Sequence, residues 1–407
     1  MHHEIPLLST MAVGLCYALI AGYFASRLRL PPLLGYLLAG IAVGPFTPGF
    51  VADAKLAPQL AEIGVILLMF GVGMHFSFRD LLAVWNIAVP GALLQIGIAV
   101  LLTAGLTHFW GWSIGSGLVL GLALSVASTV VLVRALETEG FVQSRSGRIA
   151  VGWLIVEDVV TVLILVLLPA FSGLLGGSGD TVHGTDAAPL YQTLGIIFAK
   201  FVGFVLLMLL VGGRLLPWLL ERVVATGSRE LSTLAVVVVA IGVGYEAAEL
   251  FGLSFALGAF FAGVVVGESD HSDRASEEMR PFQDAFTALF FVAVGMLFDP
   301  HILLTQPLQI LAVLGVIVLG KSAAAFAILA LLRQPVSSAL IVAASLSQIG
   351  EFSFILGELG TELHLLSSDG RTLIVTGALI SIALNTFLLK AVAALCKRSE
   401  KHPQALA

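Results

Sequence analysis

The chain has 407 residues, of which 58% are hydrophobic and only 11% are charged. Soluble domains carry about 25% charged residues, so this chain has too little polar surface to cover itself in water and is predicted to be an integral membrane protein. Its formal net charge of −6 says little about partners, but the absence of a basic patch with interleaved aromatic side chains argues against nucleic acid.

Apolar windows separated by polar, glycine- and proline-bearing breaks run through the whole chain. Thirteen of these windows can cross a bilayer core about 30 Å thick, although several are short. We therefore predict an all-α polytopic membrane protein with thirteen transmembrane helices. In chain order the predicted spans are 5–26, 31–47, 57–76, 86–108, 114–134, 147–173, 192–213, 229–248, 253–268, 284–298, 307–331, 336–359 and 371–396.

The placement of lysine and arginine supports this count. If the N-terminus lies outside, the loops predicted on the inside carry fifteen of these residues, and the outside loops carry only Lys55 and Arg371. Cytoplasmic loops are enriched in lysine and arginine. A count of one span more or fewer would move the later lysines and arginines to outside loops and remove this enrichment. We expect the N-terminus outside and the C-terminus in the cytoplasm.

Two stretches of the chain read alike. Residues 30–44 and 253–267 share three glycines and one alanine, and residues 72–76 match residues 294–298 at nearly the same offset. Span 2 thus pairs with span 9 and span 3 with span 10, so the two copies cross the membrane in opposite directions. Glycine-rich helices can look alike by chance because small residues serve close packing. Two adjacent matches nevertheless favour two inverted six-helix repeats joined by span 7.

Each repeat contains one span with a polar interruption. Span 5 is interrupted at residues 124–129 (LSVAST) and span 12 at residues 346–351 (LSQIGE). Transporters with inverted repeats cross one broken helix from each repeat near the membrane midplane, where the substrate binds. Spans 5 and 12 are therefore predicted to be crossed discontinuous helices beside the substrate site.

Span 6 carries two consecutive carboxylates, Glu157 and Asp158, between apolar residues. An ionised carboxylate at a bilayer centre costs at least about 2.5–3.5 kcal/mol, so a functional reason is expected. Adjacent helix residues point about 100° apart, which indicates different partners. We assign Asp158 to the transported cation or a proton. We expect Glu157 to face Lys321 in span 11, and a purely structural Glu157–Lys321 pair is the alternative.

Polar residues at the two breaks could complete a site for a monovalent cation. A proton and a cation compete for one negative charge, so loading one expels the other. Hydroxyl and amide oxygens could act as further ligands, although serine and threonine can equally bond their own helix backbone. The candidates are Ser125, Ser128 and Thr129 in the first repeat, and Ser347, Gln348 and Glu351 in the second. We expect no catalytic residue and no cofactor besides the transported ion.

The chain resembles the Kef-type potassium/proton branch of the monovalent cation:proton antiporter superfamily, and within it the YbaL-type members. The resemblance covers essentially the whole length. Four motifs carry it together, and any one of them alone would be weak. They are residues 33–40 (LLGYLLAG), 64–73 (GVILLMFGVG), 281–296 (PFQDAFTALFFVAVGM) and 347–352 (SQIGEF).

This resemblance implies a homodimer in a bacterial inner membrane that exchanges K⁺, or Na⁺, for protons by an elevator movement. Residues 1–76 and 229–298 would form the dimer scaffold, residues 86–173 and 307–396 the mobile core, and residues 192–213 the linker helix.

The family's functional residues can be carried over at two positions. Its ion-binding aspartate falls on Asp158, and its core lysine falls on Lys321. More distant relatives have Thr-Asp at the crossing, where this chain has Ser128-Thr129. That departure leaves the ion ligands and the stoichiometry open.

Kef-type proteins usually continue into a cytosolic nucleotide-binding regulatory domain. In this chain no GxGxxG motif followed by a βαβ pattern comes after the last span. We expect residues 397–407 to be the start of a linker to such a domain, which would be absent here.

Three other functions were weighed against antiport. A ligand-gated potassium channel or uniporter could use the same fold, but a TVGYG filter is absent. An anion or organic-solute carrier would need an unpaired arginine in mid-membrane, and none is predicted. An intramembrane hydrolase is disfavoured because neither HExxH nor a GxGD-type second aspartate occurs. A transporter rather than an enzyme is therefore predicted.

Overall fold

The computed structural model describes residues 6–47, 56–74, 78–177, 190–269 and 272–401, and all regular secondary structure in these ranges is helical. The helices are α1 (Pro6–Arg27), α2 (Pro32–Val43), α3 (Ala57–Met74), α4 (Phe78–Phe109), α5 (Ile114–Ser125), α6 (Thr129–Glu139), α7 (Arg145–Phe171), α8 (Leu190–Leu207), α9 (Gly213–Val224), α10 (Arg229–Phe251), α11 (Phe255–Gly267), α12 (Ser272–Met296), α13 (Ile302–Thr305), α14 (Pro307–Leu314), α15 (Lys321–Leu331), α16 (Val336–Ser345), α17 (Glu351–Glu362) and α18 (Ser368–Lys401).

Two short π-helical segments join consecutive helices into longer rods. Met208–Gly212 connects α8 to α9, and Gly315–Gly320 connects α14 to α15. Among the described residues, seven helical stretches are long and apolar enough to cross a membrane, and five shorter apolar helices accompany them. An all-α membrane protein is therefore observed. The count of thirteen spans stays a prediction, and residues 75–76 of span 3 and 402–407 of the predicted linker lie outside the described residues.

The helices pack in two groups. The first group contains α1, α2, α3, α10, α11 and α12, and the second contains α4, α5, α7 and α15 to α18. Large apolar side chains on the outer faces of both groups remain exposed, as expected where a bilayer replaces water. The two groups touch where α2 packs against α18 and where the rings of Phe290 and Phe291 on α12 meet that of Phe354 on α17.

Matched glycines from the similar stretches bring α2 and α12 together. A Cβ atom added at Gly40 would overlap the carbonyl oxygen of Val292, and one added at Gly295 would overlap that of Leu37. Only glycine permits backbones to approach this closely. The glycine motif of one stretch therefore packs against the partner motif in the other half of the chain.

The same arrangement recurs between α3 and α11. A Cβ atom added at Gly263 would overlap the carbonyl oxygen of Phe70, and one added at Gly73 would overlap that of Phe260. These residues stand about 222 positions from their counterparts at the α2–α12 contact. Two interfaces built from corresponding residues are what a duplicated unit produces.

Both predicted helix breaks are observed. Between α5 and α6 the backbone is extended at Val126 and Ser128, and between α16 and α17 it is extended at Gly350. A Cβ atom added at Gly350 would overlap the backbone of Ser128. The two unwound segments therefore cross in direct contact.

Candidate functional site

Asp158 lies in the middle of α7 beside the crossing. Its side chain is buried, with 4% of the residue exposed. The Thr129 hydroxyl, at the first residue of α6, donates a hydrogen bond of 3.2 Å to Asp158 Oδ2. The other oxygen, Oδ1, is buried and has no hydrogen-bond partner among the described residues. A buried carboxylate oxygen without a partner is rare in proteins and can accept a proton or coordinate a cation.

Glu157 binds the unwound backbone rather than a lysine. Its Oε2 atom accepts a hydrogen bond of 2.9 Å from the Ala127 backbone N–H, and its Oε1 atom has no partner. Glu157 is fully buried. It therefore holds the segment between α5 and α6, where the peptide groups have no helical partners.

Lys321 makes the corresponding contact at the other helix break. Its Nζ atom donates a hydrogen bond of 2.9 Å to the backbone carbonyl of Gln348. The sequence predicted that Glu157 faces Lys321, and no ion pair within 4.0 Å joins the two side chains. The two side chains still attract each other electrostatically across the site. Each side chain is hydrogen-bonded to a backbone group of an unwound segment, and these hydrogen bonds set the positions of Glu157 and Lys321.

Ser128 connects the two crossing helices. Its hydroxyl oxygen accepts a hydrogen bond of 3.3 Å from Val131 N and so caps α6, and its O–H donates to Glu351 Oε2 at 3.0 Å. Glu351 is the first residue of α17 and is 1% exposed, and its Oε1 atom has no partner. Glu351 therefore faces the N-terminal ends of both half-helices, where a negative charge is favoured.

Three of the predicted ligands are already engaged by backbone. Ser125 Oγ donates to Leu122 O at 2.7 Å, and Ser347 Oγ donates to Ala344 O at 2.7 Å. Both amide atoms of Gln348 bind the backbone of Ser128. Ion binding by Ser125, Ser347 and Gln348 stays a prediction that this geometry does not favour.

Two buried amides beside the crossing were missed by the sequence reasoning. Gln95 on α4 donates to Ser125 O at 3.2 Å and accepts from Trp153 Nε1 at 3.3 Å. Asn385 on α18 donates to Ala344 O at 2.6 Å and to Ser347 Oγ at 3.0 Å. Both amides interrupt apolar runs in the sequence, which is the signal that could have revealed them.

A cavity of about 600 Å³ opens between the two helix groups. Apolar and aromatic side chains line most of it, and three acidic residues, Glu62, Glu358 and Glu362, also line it together with Arg371. Arg371 Nη1 is paired with Glu358 Oε2 at 3.2 Å. Glu62, an acidic residue inside the third predicted span, is thus a lining residue of this cavity.

An aromatic cluster forms part of the wall of this cavity. Phe354 follows Glu351 by one turn of α17, and its ring contacts those of Phe290 and Phe291 on α12 at centroid distances of 6.3 and 6.0 Å. Phe290 and Phe354 line the cavity, whereas neither Asp158 nor Thr129 does. Asp158 and Thr129 are therefore not part of the cavity wall.

The described residues contain no group of three or more histidine, cysteine, aspartate or glutamate side chains placed to hold a metal ion. Transition metals bind at such groups of nitrogen, sulfur and carboxylate ligands. The carboxylate and hydroxyl oxygens at the crossing instead resemble the oxygen ligands that hard cations prefer.

A protein-family model described as the transmembrane part of sodium/hydrogen exchangers matches residues 15–395. YbaL of Escherichia coli (strain K12), named as a candidate cation/proton antiporter, is 56% identical over 388 residues, which are 95% of this chain and 69% of that protein. K(+) efflux antiporter 4 of Arabidopsis thaliana is 30% identical over 96% of this chain and 64% of the plant protein. The resemblance predicted from sequence motifs is confirmed by these matches.

Two further comparisons concern a relative that is named as an iron transporter and a solved structure with a similar fold. The iron transporter MagA of Paramagnetospirillum magneticum is 33% identical over 96% of this chain and 86% of its own length. The solved structure of the sodium/proton antiporter MjNhaP1 from Methanocaldococcus jannaschii superposes with a TM-score of 0.74 at 17% identity, covering 95% of this chain and 98% of the other. Similarity at that identity establishes a shared fold and nothing finer.

Proposed function

This chain belongs to the sodium/hydrogen exchanger family, and from that premise we propose that it exchanges a monovalent cation for a proton across the membrane. Membership of this family makes it a transporter rather than an enzyme, as the sequence predicted. The observation that carries the proposal is the unpartnered, buried Oδ1 atom of Asp158. One carboxylate that takes either a proton or a cation couples the two flows, because binding one ion requires release of the other.

The transported cation is proposed to be K⁺, with Na⁺ as the alternative. The support for K⁺ is the name of the plant relative, and the support for Na⁺ is the description of the family and of the archaeal structure. Asp158 and Thr129 are the proposed ligands from the first repeat, and Glu351 contributes negative charge from the second.

Alternating access is proposed to follow an elevator movement. The group of α1 to α3 and α10 to α12 would be the stationary scaffold, and the group that carries Asp158 would move against it. The cavity between the two groups supports this division, since it lies along the surface at which they would slide. The apolar and aromatic lining would permit sliding without the breaking of many polar contacts.

The topology of thirteen spans in two inverted repeats, with the N-terminus outside, is part of this proposal. The corresponding glycine contacts at the α2–α12 and α3–α11 interfaces support the duplication. The asymmetry of lysine and arginine supports the orientation and, together with the bacterial relative, a place in the inner membrane. A homodimer and a cytosolic regulatory domain are further proposals that rest on the resemblance.

The test uses purified protein in sealed liposomes that contain a pH-sensitive dye, with K⁺, Na⁺, Li⁺ or choline added outside. The wild type should move protons in response to K⁺ or Na⁺ and not to choline. Asp158→Asn keeps the shape of the side chain but cannot ionise, so it should abolish this movement. Glu246→Gln is the matched control, because Glu246 is an exposed acid on α10 far from the crossing in sequence.

Two results would contradict the proposal. Full exchange by Asp158→Asn would remove the central role of that carboxylate. Cation flux without proton movement in the wild type would indicate the alternative, a potassium channel or uniporter on the same fold.

A further inference from the structure

Another cavity of the protein lies away from the ion-site residues, between α9 and the C-terminal end of α11. It is an open groove of about 770 Å³. One face of α9, from Gly213 to Glu221, forms one side of it, and Val264, Val265 and Glu268 form the other. We call it the α9–α11 groove. No residue of the crossing lines this groove, so its role is separate from ion binding.

The α9–α11 groove lies at the level of the lipid headgroups. The helix α8, the π-helical segment and α9 form one rod from residue 190 to residue 224. At 1.5 Å per residue this rod is about 50 Å long, whereas the hydrocarbon core is about 30 Å thick. A rod that crosses the core must therefore extend into the headgroup layer. The polar end is α9, because it carries Arg214, Glu221 and Arg222, whereas α8 carries Lys200 as its one charged residue.

Three charged side chains of the groove are not paired with each other. Arg214, Glu221 and Glu268 line it, and no ion pair among the described residues includes any of them. Glu268 follows the last residue of α11, where the helix end adds a partial negative charge. The groove thus presents one positive group and a negative region to whatever occupies it.

The spacing of these charges along α9 fits a small zwitterion. Arg214 and Glu221 lie two turns apart on the same face, about 10 Å along the helix axis. Charge-assisted hydrogen bonds take up about 3 Å at each end, which leaves about 4–5 Å between the two charged groups of a ligand. A phosphate and an ammonium group joined by two methylene carbons fit into this space.

Apolar side chains continue from the charged part of the groove toward the hydrocarbon core. Leu209 lines the groove and is 54% exposed, and Leu210 and Leu215 beside it are also exposed. Trp218 lines the groove as well, and tryptophan is enriched at membrane interfaces. A Cβ atom added at Gly213 would come near only the carbonyl oxygen of Met208, at 3.9 Å, so the floor of the groove is open. Such a surface suits a headgroup in the groove and acyl chains along α9.

We propose that the α9–α11 groove binds one phosphatidylethanolamine molecule, with its phosphate at Arg214 and its ammonium group at Glu221 and Glu268. An anionic headgroup without an amine would meet Arg214 but would also bring its charge close to two carboxylates. A phosphatidylcholine headgroup has the same length, but its quaternary ammonium has no N–H to donate. The site does not depend on the exchange reaction.

The test compares three lipids on the wild type. Purified protein depleted of lipid is titrated with phosphatidylethanolamine, phosphatidylcholine or phosphatidylglycerol of identical acyl chains, and bound lipid is counted by native mass spectrometry. Phosphatidylethanolamine should bind about tenfold more tightly than either of the others, because hydrogen bonds between charged groups are lost with them. Equal binding of all three, or a preference for phosphatidylglycerol, would overturn the proposal. This comparison needs no variant and holds even where a variant fails to fold.

Variants locate the lipid. Glu221→Gln combined with Glu268→Gln should lower the affinity for phosphatidylethanolamine to that for phosphatidylcholine, whose own binding should change little. Arg214→Gln should weaken both lipids alike, because both carry the phosphate. Arg222→Gln is the matched control, since Arg222 lies on the same helix, stacks on Trp218 and does not line the groove. A double variant that still prefers phosphatidylethanolamine would contradict the assignment.

The same spectra report whether a second copy of the chain covers the groove instead. Glu221→Arg reverses a charge in the groove and should leave the oligomeric state of the lipid-depleted protein as in the wild type. A change of oligomeric state in this variant would assign the groove to a contact between copies and overturn the proposal.

Discussion

Gln348 and Ser128 hold the two broken helices together through a pair of hydrogen bonds. The Ser128 N–H donates to Gln348 Oε1 at 3.0 Å, and Gln348 Nε2 donates to the Ser128 carbonyl at 3.1 Å. One primary amide thus replaces the helical hydrogen bond that the break removes from the Ser128 N–H, and it adds a second donor to the Ser128 carbonyl, which also accepts from Leu132 N at 3.0 Å. Only asparagine and glutamine side chains offer a donor and an acceptor in this arrangement.

Gln348→Glu should destabilise the protein because it keeps the acceptor and removes the donor. The Ser128 carbonyl would keep Leu132 N as a donor but would face a carboxylate oxygen in place of the amide N–H. A further negative charge would also enter the buried crossing, which is costly without a partner. We expect a lower melting temperature in detergent, measured by the fluorescence of the five tryptophans, and weaker exchange. Gln334→Glu, just after the C-terminal end of α15, is the control, since an acceptor for Arg145 would be preserved. Equal melting temperatures for both variants would contradict the role given to the amide pair.

Thr129→Val should weaken cation binding without unfolding the protein. The change keeps the shape of the side chain and removes the hydroxyl that donates to Asp158 Oδ2. Hydrogen bonds to charged groups contribute about 1.5–3 kcal/mol, so the cation concentration for half-maximal exchange should rise roughly 10- to 150-fold. Thr129→Ser retains the hydroxyl and should stay close to the wild type. If serine and valine variants behave alike, the hydroxyl has no part in the site.

Glu157→Gln and Lys321→Gln should each be more harmful alone than together. Either single change leaves one buried charge without its electrostatic partner, which typically costs about 3–5 kcal/mol. In the double variant no lone charge remains, and glutamine can still accept from Ala127 N and donate to Gln348 O. We expect the double variant to be folded and partly active, with a melting temperature above that of either single variant. If the double variant failed to fold while both single variants folded, the ionised pair itself would be essential to the structure.

The sequence predicts where the helices and their breaks lie better than it predicts which side chains meet between helices. Helix positions follow from apolar runs and their breaks, and both interruptions were located because polar clusters are rare inside apolar spans. The charge partnership of Glu157 and Lys321 stays a prediction. The two side chains attract each other without an ion pair within 4.0 Å, because each binds a backbone group whose position spacing along a helix does not show. Gln95 and Asn385 were missed because their backbone and side-chain partners lie on other helices, and the sequence does not show which helices meet there.

The apparent affinity for the cation should rise as the pH rises. A proton and a cation compete for Asp158, whose Oδ1 atom has no other partner. The proton concentration falls tenfold per pH unit, so the cation concentration for half-maximal exchange should fall by up to about tenfold per unit while protonation dominates. Above the pH at which the carboxyl is ionised this dependence should disappear.

This competition is measured with equal pH on both sides of the liposome membrane, so that no proton gradient drives the exchange. Radioactive rubidium, a monovalent ion of nearly the size of K⁺, reports cation exchange directly at each pH. The maximal rate should change less than the half-maximal concentration, because protons occupy the cation's own site. A half-maximal concentration that stays constant while the maximal rate varies would mean that protons act at a site other than Asp158.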